Sequence, residues 1–160
     1  MKQLLFLGAA AFCALSLPTQ AEQTYSNTGM AKAKVMSTVH GIGDGHMVIQ
    51  IHSEFTNVTT EDTSNPLNGA SGPCFGSVEI IVPNVTGGGH CVYTDTQGDM
   101  AVLTWTSTQL TEGGGTAGSW QLTGGSGKYA GATGGGGYAT TTDNDAGIQT
   151  NQISGDITLR

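Results

Sequence analysis

Positive charge is scarce in this chain. Of its 160 residues only 5 are lysine or arginine, against 12 aspartate or glutamate, a formal charge of −7. Nucleic acid and anionic lipid surfaces are bound by Lys and Arg that neutralise phosphates, so both would repel such a protein. Cysteine is also sparse: Cys13, Cys74 and Cys91, with no C-x-x-C spacing that would depress a thiol pKa. Long hydrophobic runs are limited to one, from Leu4 to Leu17, and nothing after it is apolar enough to span a bilayer. Helical patterning is missing too. No window carries a 3.6-residue apolar stripe of useful length, and 26 glycines weigh against one.

The single apolar run belongs to the segment MKQLLFLGAAAFCALSLPTQA, in which Lys2 precedes it and Pro18 and Thr19-Gln20-Ala21 follow it. A charged start, an apolar stretch too short for a membrane anchor and small residues at −3 and −1 of a cut describe a cleaved secretory signal over residues 1–21. Phe12 stands before Cys13 where lipid attachment would want a small residue. The expectation is a mature chain beginning near Glu22, exported to the periplasm or the exterior, with no membrane insertion. Its length of about 139 residues suits one domain with one core. Cys13 leaves with the leader, and the remaining even pair, Cys74 and Cys91, favours a disulfide in an exported chain. Two thiols alone could not make a closed zinc site.

What the mature part does contain is alternation. In 47–55, Met47, Ile49, Ile51 and Phe55 fall on one face and Gln50, His52 and Glu54 on the other. In 152–159, Ile153, Ile157 and Leu159 oppose Gln152, Ser154, Asp156 and Thr158. This period of two marks half-buried strands. Similar runs lie at 77–82, 90–94, 100–109, 118–123 and 138–142, with another near 33–40. Between them stand GIGDG at 41–45, SNPLNGASGP at 64–73, NVTGGG at 84–89, DTQGD at 95–99 and TEGGG at 111–115, which read as turns. The prediction is an all-β, antiparallel domain of about eight strands over 33–160, after a polar lead-in at 22–32. A barrel and a sandwich both satisfy this alternation.

The stretch GGSGKYAGATGGGGY at 124–138 resembles a phosphate loop only superficially. The G-x-x-x-x-G-K-[ST] pattern needs glycine where Leu122 stands and Ser or Thr where Tyr129 stands, and a helix must follow. The nucleophile-elbow pattern G-x-S-x-G fails because Lys128 follows Gly127. A free linker would leave Tyr129, Tyr138 and the strand at Ile153 without packing partners. Glycines among small and aromatic residues suit bulges and bends that curl a sheet.

With the preceding Trp120-Gln121-Leu122-Thr123-Gly124, the run from Gly125 to Gly134 resembles the G-(S/T)-G-x-(Y/F)-x-G-x-x-G hairpin of allene oxide cyclase-like and dirigent-like β-barrels. The segment from Gly89 to Asp99, followed by Trp105, is similar to exported bacterial relatives of that barrel. The resemblance covers roughly 74–142. It implies an eight-stranded antiparallel barrel with an apolar lumen, often a dimer or trimer, in which plant members confine a hydrophobic intermediate. Catalytic positions do not transfer residue by residue, so activity is not implied.

Candidate sites follow from residue chemistry. His40 and His46 flank GIGDG with Asp44 nearby, but His52 lies six residues along from His46, about 20 Å at strand rise, and zinc wants three or four ligands. Solvated histidines and no metal are the expectation. DTQGD departs from a calcium loop at Gln97 and Met100 and reads as a tight turn, as does Asp143-Asn144-Asp145. His52 and Glu54 share a face and would form a proton-transfer pair if it looked inward. The apolar set opposite has the stronger claim on the interior. Tyr93, Trp105, Trp120, Tyr129 and Tyr138 are packing residues first and pocket walls second. No cofactor motif is present. Three functions compete: a barrel binding a small apolar molecule, a cyclase- or isomerase-like catalyst using His52 or Glu54, and an assembly module that exposes a strand edge or forms a homo-oligomer.

Overall fold

The alternating segments become ten strands in a computed structural model that describes residues 21–160. The leader predicted over 1–21 lies, but for Ala21, outside the described residues. The strands are β1 Gln23–Ser26, β2 Gly29–Val35, β3 Thr38–Gly43, β4 His46–Thr60, β5 Gly72–Ile81, β6 Asn84–Thr94, β7 Met100–Leu110, β8 Thr116–Gly125, β9 Thr133–Asp143 and β10 Ile148–Leu159. A single 3-10 turn, Gly127–Tyr129, interrupts them. Every pairing is antiparallel, in the order β10-β2-β4-β5-β6-β7-β8-β9, and β9 pairs β10 again. That closure makes an eight-stranded barrel. The sandwich is ruled out, because a closed barrel leaves no edges among its own strands.

Two strands lie outside the ring. β1 extends β10, and β3 pairs only with the first half of β4, whose second half pairs β2. β4 can serve both because it runs for 15 residues. A register shift between Lys32 and Ala33 keeps both Phe55 and Val58 pointing inward. The predicted lead-in at 22–32 is therefore part of the sheet. Polar residues mislead there because β1 is largely exposed and β2 buries only Ala31 and Ala33. Asn65, itself buried, donates from Nδ2 to the Ser26 carbonyl (2.7 Å) and to Asn27 Oδ1 (3.1 Å), tying this segment to the 61–70 loop.

Two glycine clusters predicted as turns or bends are strand. NVTGGG lies in β6, and the turn before it is Val82-Pro83; the glycines 134–137 lie in β9. The expected run at 33–40 is split at Met36-Ser37, and GIGDG turns only at Asp44-Gly45. Glycine is normally weak in strands, but at Gly87, Gly88, Gly134 and Gly136 the backbone of a neighbouring strand lies where a Cβ would be. The core holds Phe55, Val58, Leu67, Tyr93, Leu103, Trp120, Leu122, Tyr129 and Ile157. A second cluster of Val78, Ile80 and Val85, with Met47, Ile49 and Ile51 against it, lies under the extension formed by the first half of β4. Cys74 and Cys91 face each other across β5 and β6 and form a disulfide.

Candidate functional site

The barrel has one closed end, built by the stretch GSGKY and the DTQGD turn. Gly127 adopts φ +51°, and the Asp99 carboxylate fills the space where its side chain would be. This conformation suits glycine alone at little strain. It starts the 3-10 turn that drives Tyr129 inward to complete burial. Tyr129 donates its hydroxyl to the Pro66 carbonyl (2.9 Å) and approaches Asp95 Oδ2 (3.3 Å). Lys128 Nζ lies 2.7 Å from the same Oδ2, while Asp95 Oδ1 accepts the amides of Gln97 (2.8 Å) and Asp99 (3.0 Å). Burial pulls the Asp95 pKa up, but Lys128 and the two amides outweigh it and hold the carboxyl below its ordinary value. Burial first, then the Asp95 charge, pushes the Tyr129 phenol well above its ordinary value. Tyr129 therefore plugs the end of the barrel and does not line its cavity, contrary to its place among the candidate ligand residues.

Above the plug, the register sets a belt of six successive cross-strand neighbours: Gly76, Gly89, Trp105, Trp120, Gly136 and Gly155. Gly76 and Gly89 make room for the indole of Trp105. A Cβ at Gly76 or Gly89 would come within 2.7 or 2.8 Å of Trp105 Cζ2. Trp120 reaches over β9 and donates Nε1 to the Ser154 carbonyl on β10 (3.0 Å). Trp105 packs edge-on against Tyr138, with centroids 6.5 Å apart. The Tyr138 hydroxyl lies 2.7 Å from buried Ser107 Oγ.

What remains of the lumen is a cavity of about 70 Å³. Its walls include Phe55, Leu103, Tyr93, Trp105, Trp120 and Tyr138, so three of the four predicted aromatics do line it. Half-buried Ile51, Thr116, Gln149 and Asn151 stand toward the open end. Among the described residues no Asp, Glu, Lys, Arg or His contributes to this wall. Tyr93 is edge-on to Phe55 at 5.8 Å, its hydroxyl is 3.3 Å from Cys74 Sγ, and burial pushes its phenol well above its ordinary value. It stays protonated near neutral pH and is a poor proton-transfer group.

Among known proteins, a solved pterocarpan synthase dirigent protein is similar to this chain over 92% of its length and 98% of that protein's, with a TM-score of 0.55 and 13% identity. The fold is a dirigent-like barrel. At that identity the likeness speaks for the fold alone. No family model matches the sequence, and no curated protein matches it.

On this dirigent-like barrel, His52 and Glu54 face outward. Their side chains are 45% and 42% exposed and pair with each other, Nε2 to Oε1 at 3.1 Å. The strand parity that sends Ile51, Ser53 and Phe55 into the lumen sends these two to solvent. His46 pairs with Glu79 (2.8 Å) and His40 lies 3.5 Å from Gln50, so the histidines flanking GIGDG engage separate partners. Among the described residues no three His, Cys, Asp or Glu side chains gather as a metal site. No helix among them is long and apolar enough to cross a membrane.

The polar wall residues Ser53, Thr116, Thr140, Gln149 and Asn151 were missed by sequence reasoning. The signal was available in β10, where Gln149 and Asn151 share the parity of Ile153, Ile157 and Leu159; the register then sets Asn151 beside Thr140 and Ala31.

Proposed function

We propose that this protein is an exported, disulfide-stabilised barrel that binds a small, uncharged, largely apolar molecule in its lumen. The observation that carries the reading is the cavity of about 70 Å³, walled by aromatic and aliphatic side chains and reached from one end. Concave, mostly apolar sites with a few polar groups are the usual form of small-molecule pockets. The leader pattern and the disulfide support export, because disulfides persist in oxidising compartments.

Binding is favoured over catalysis by the chemistry of the wall. The similar solved protein is named as a synthase, but in this chain the carboxylate and imidazole that could move a proton, Glu54 and His52, stand on the outer face. An uncharged lumen can hold and orient a neutral molecule but has little with which to stabilise developing charge.

Native mass spectrometry of the oxidised protein, isolated from the exported fraction of its own host, tests the reading. A reproducible added mass that disappears on denaturation is expected. Bare protein at the mass of the mature chain less two hydrogens, together with no uptake of apolar probes, would transfer the function to an assembly role.

A further inference from the structure

Closing the barrel pairs its eight strands with one another, but β3 stands outside the ring. Among the described residues it pairs with β4 alone, and all 6 of its residues are exposed. Thr38-Val39-His40-Gly41-Ile42-Gly43 contains no Asp, Glu, Lys, Arg or Pro, the residues that ordinarily blunt a free strand edge. The Met36 amide donates to the His52 carbonyl (2.8 Å), and the register against β4 then runs unbroken from Thr38 to Gly41. Antiparallel alternation therefore turns the backbone groups of Thr38 and His40 toward β4 and those of Val39 and Gly41 toward the free side. Exposed apolar side chains gather at the same place. Of nine large exposed hydrophobic residues, five are Met36, Val39, Ile42, Ile81 and Val82. The Val82 amide donates to the Gly45 carbonyl (2.9 Å), which sets the turn after β5 against the turn after β3. Clustered exposed apolar surface of this kind marks an interaction site.

We infer that two copies of this chain associate by pairing β3 antiparallel with β3 about a twofold axis at His40, independently of what the lumen holds. The free edge fixes that centre. β10 still covers this side at Val35, whose amide donates to the Gly147 carbonyl (2.9 Å), so the uncovered stretch is 37–43 and its midpoint is residue 40. This register sets Val39 of each copy opposite Gly41 of the other, and both residues turn their N–H and C=O to the partner. The side chains are complementary as well. Val39 is 61% exposed, and nothing lies within 4 Å of where a Cβ on Gly41 would be, so the valine of one copy has room over the glycine of the other. Charge favours a second copy at this edge over any other face. Chains of formal charge −7 repel one another, but 37–43 brings no ionised carboxylate to face its copy, and Glu54 and Glu79 on the outer face of the adjoining strands are paired with His52 and His46. The same patch meets itself, which is what a closed twofold dimer requires.

Sedimentation velocity of the exported, oxidised protein over a concentration series up to about 1 mM tests this. Two short edges bury less than the roughly 1,200 Å² of weak encounters, so a reversible dimer with a Kd on the order of 100 µM is expected. Gly41→Pro removes an N–H that points to the partner and leaves the ladder to β4 intact, since proline is tolerated at such an edge. His40→Lys sets two like charges directly opposite each other. Each should weaken association at least about tenfold and leave the urea midpoint of the monomer in place, whereas His40→Val should keep the dimer. Amide hydrogen exchange supplies a readout that depends on strand parity. Raising the concentration should slow exchange at Val39 and Gly41 and leave Thr38 and His40, which already face β4, unchanged. A wild-type protein that stays monomeric at about 1 mM would overturn the inference and leave this edge to a strand of foreign sequence. So would a dimer that survives both Gly41→Pro and His40→Lys, or one in which Val39 and Gly41 gain no protection.

Discussion

Replacing Lys128 by methionine tests whether the Asp95 cluster holds the closed end of the barrel. Met keeps the apolar stem and removes the cation that lies 2.7 Å from Asp95 Oδ2. The Asp95 side chain is only 2% exposed, so its charge would remain buried on two backbone amides and the Tyr129 hydroxyl. Removing one partner of a buried pair costs about 3–5 kcal/mol, and the 25% exposure of Lys128 places this case at the low end, about 3 kcal/mol. With a urea slope of roughly 2 kcal/mol/M, the unfolding midpoint should fall by about 1.5 M. In the Lys128→Met, Asp95→Asn double variant the two losses should overlap, giving a coupling of about 2 kcal/mol. The pH dependence gives a second check. A carboxyl held below its ordinary value of 3.8 contributes stability that is present above that value and lost as pH falls through the folded-state value. Lys128→Met should lessen this acid-side contribution. A change within about 0.5 kcal/mol, the worth of an exposed pair, would refute the reasoning and leave Tyr129 packing as the closure.

Three further outcomes follow from the same geometry. Reducing the disulfide, or replacing Cys74 and Cys91 by alanine, should cost about 3 kcal/mol in urea unfolding, since the link joins positions 17 apart. Tyr93 and Tyr129 have phenols raised above 10.0, so the stability they contribute is complete below that value and is lost as pH rises beyond it; tyrosinate absorbance of both should appear together with unfolding. Gly89→Ala should destabilise by about 3 kcal/mol or more, because the new methyl meets the Phe75 carbonyl and Trp105 Cζ2, whereas His52→Ala with Glu54→Ala on the outer face should stay within about 0.5 kcal/mol and leave ligand uptake unchanged.

The strand content, the pairing of Cys74 with Cys91 and the outward face of His52 and Glu54 were legible in the sequence because each follows from local rules. Period-two alternation assigns a face without knowledge of neighbours. The inward direction of Met47, Ile49, Ile51 and Phe55 then sends the even-numbered residues of β4 up to Glu54 outward, before the register shift beside Thr56 reverses the parity and turns Val58 inward. Local rules misplaced NVTGGG and GGGG. Glycine signals a turn when its own backbone is considered, but in β6 and β9 it is required by the close approach of neighbouring strand backbone, joined at Gly89 by an indole that belongs to β7.

By itself, the sequence settled an antiparallel β domain, its cysteine pair, its acidic balance and the failure of the phosphate-loop and nucleophile patterns. Only the tertiary structure decided for a barrel over a sandwich, because that choice rests on β9 meeting β10 and β10 meeting β2, contacts no periodicity encodes. It also separated Tyr129, a plug, from Tyr93, Trp105 and Trp120, which are walls. The reason is physical. An aromatic residue buries similar area in either place, and what distinguishes them is which distant strand or loop supplies the opposing surface.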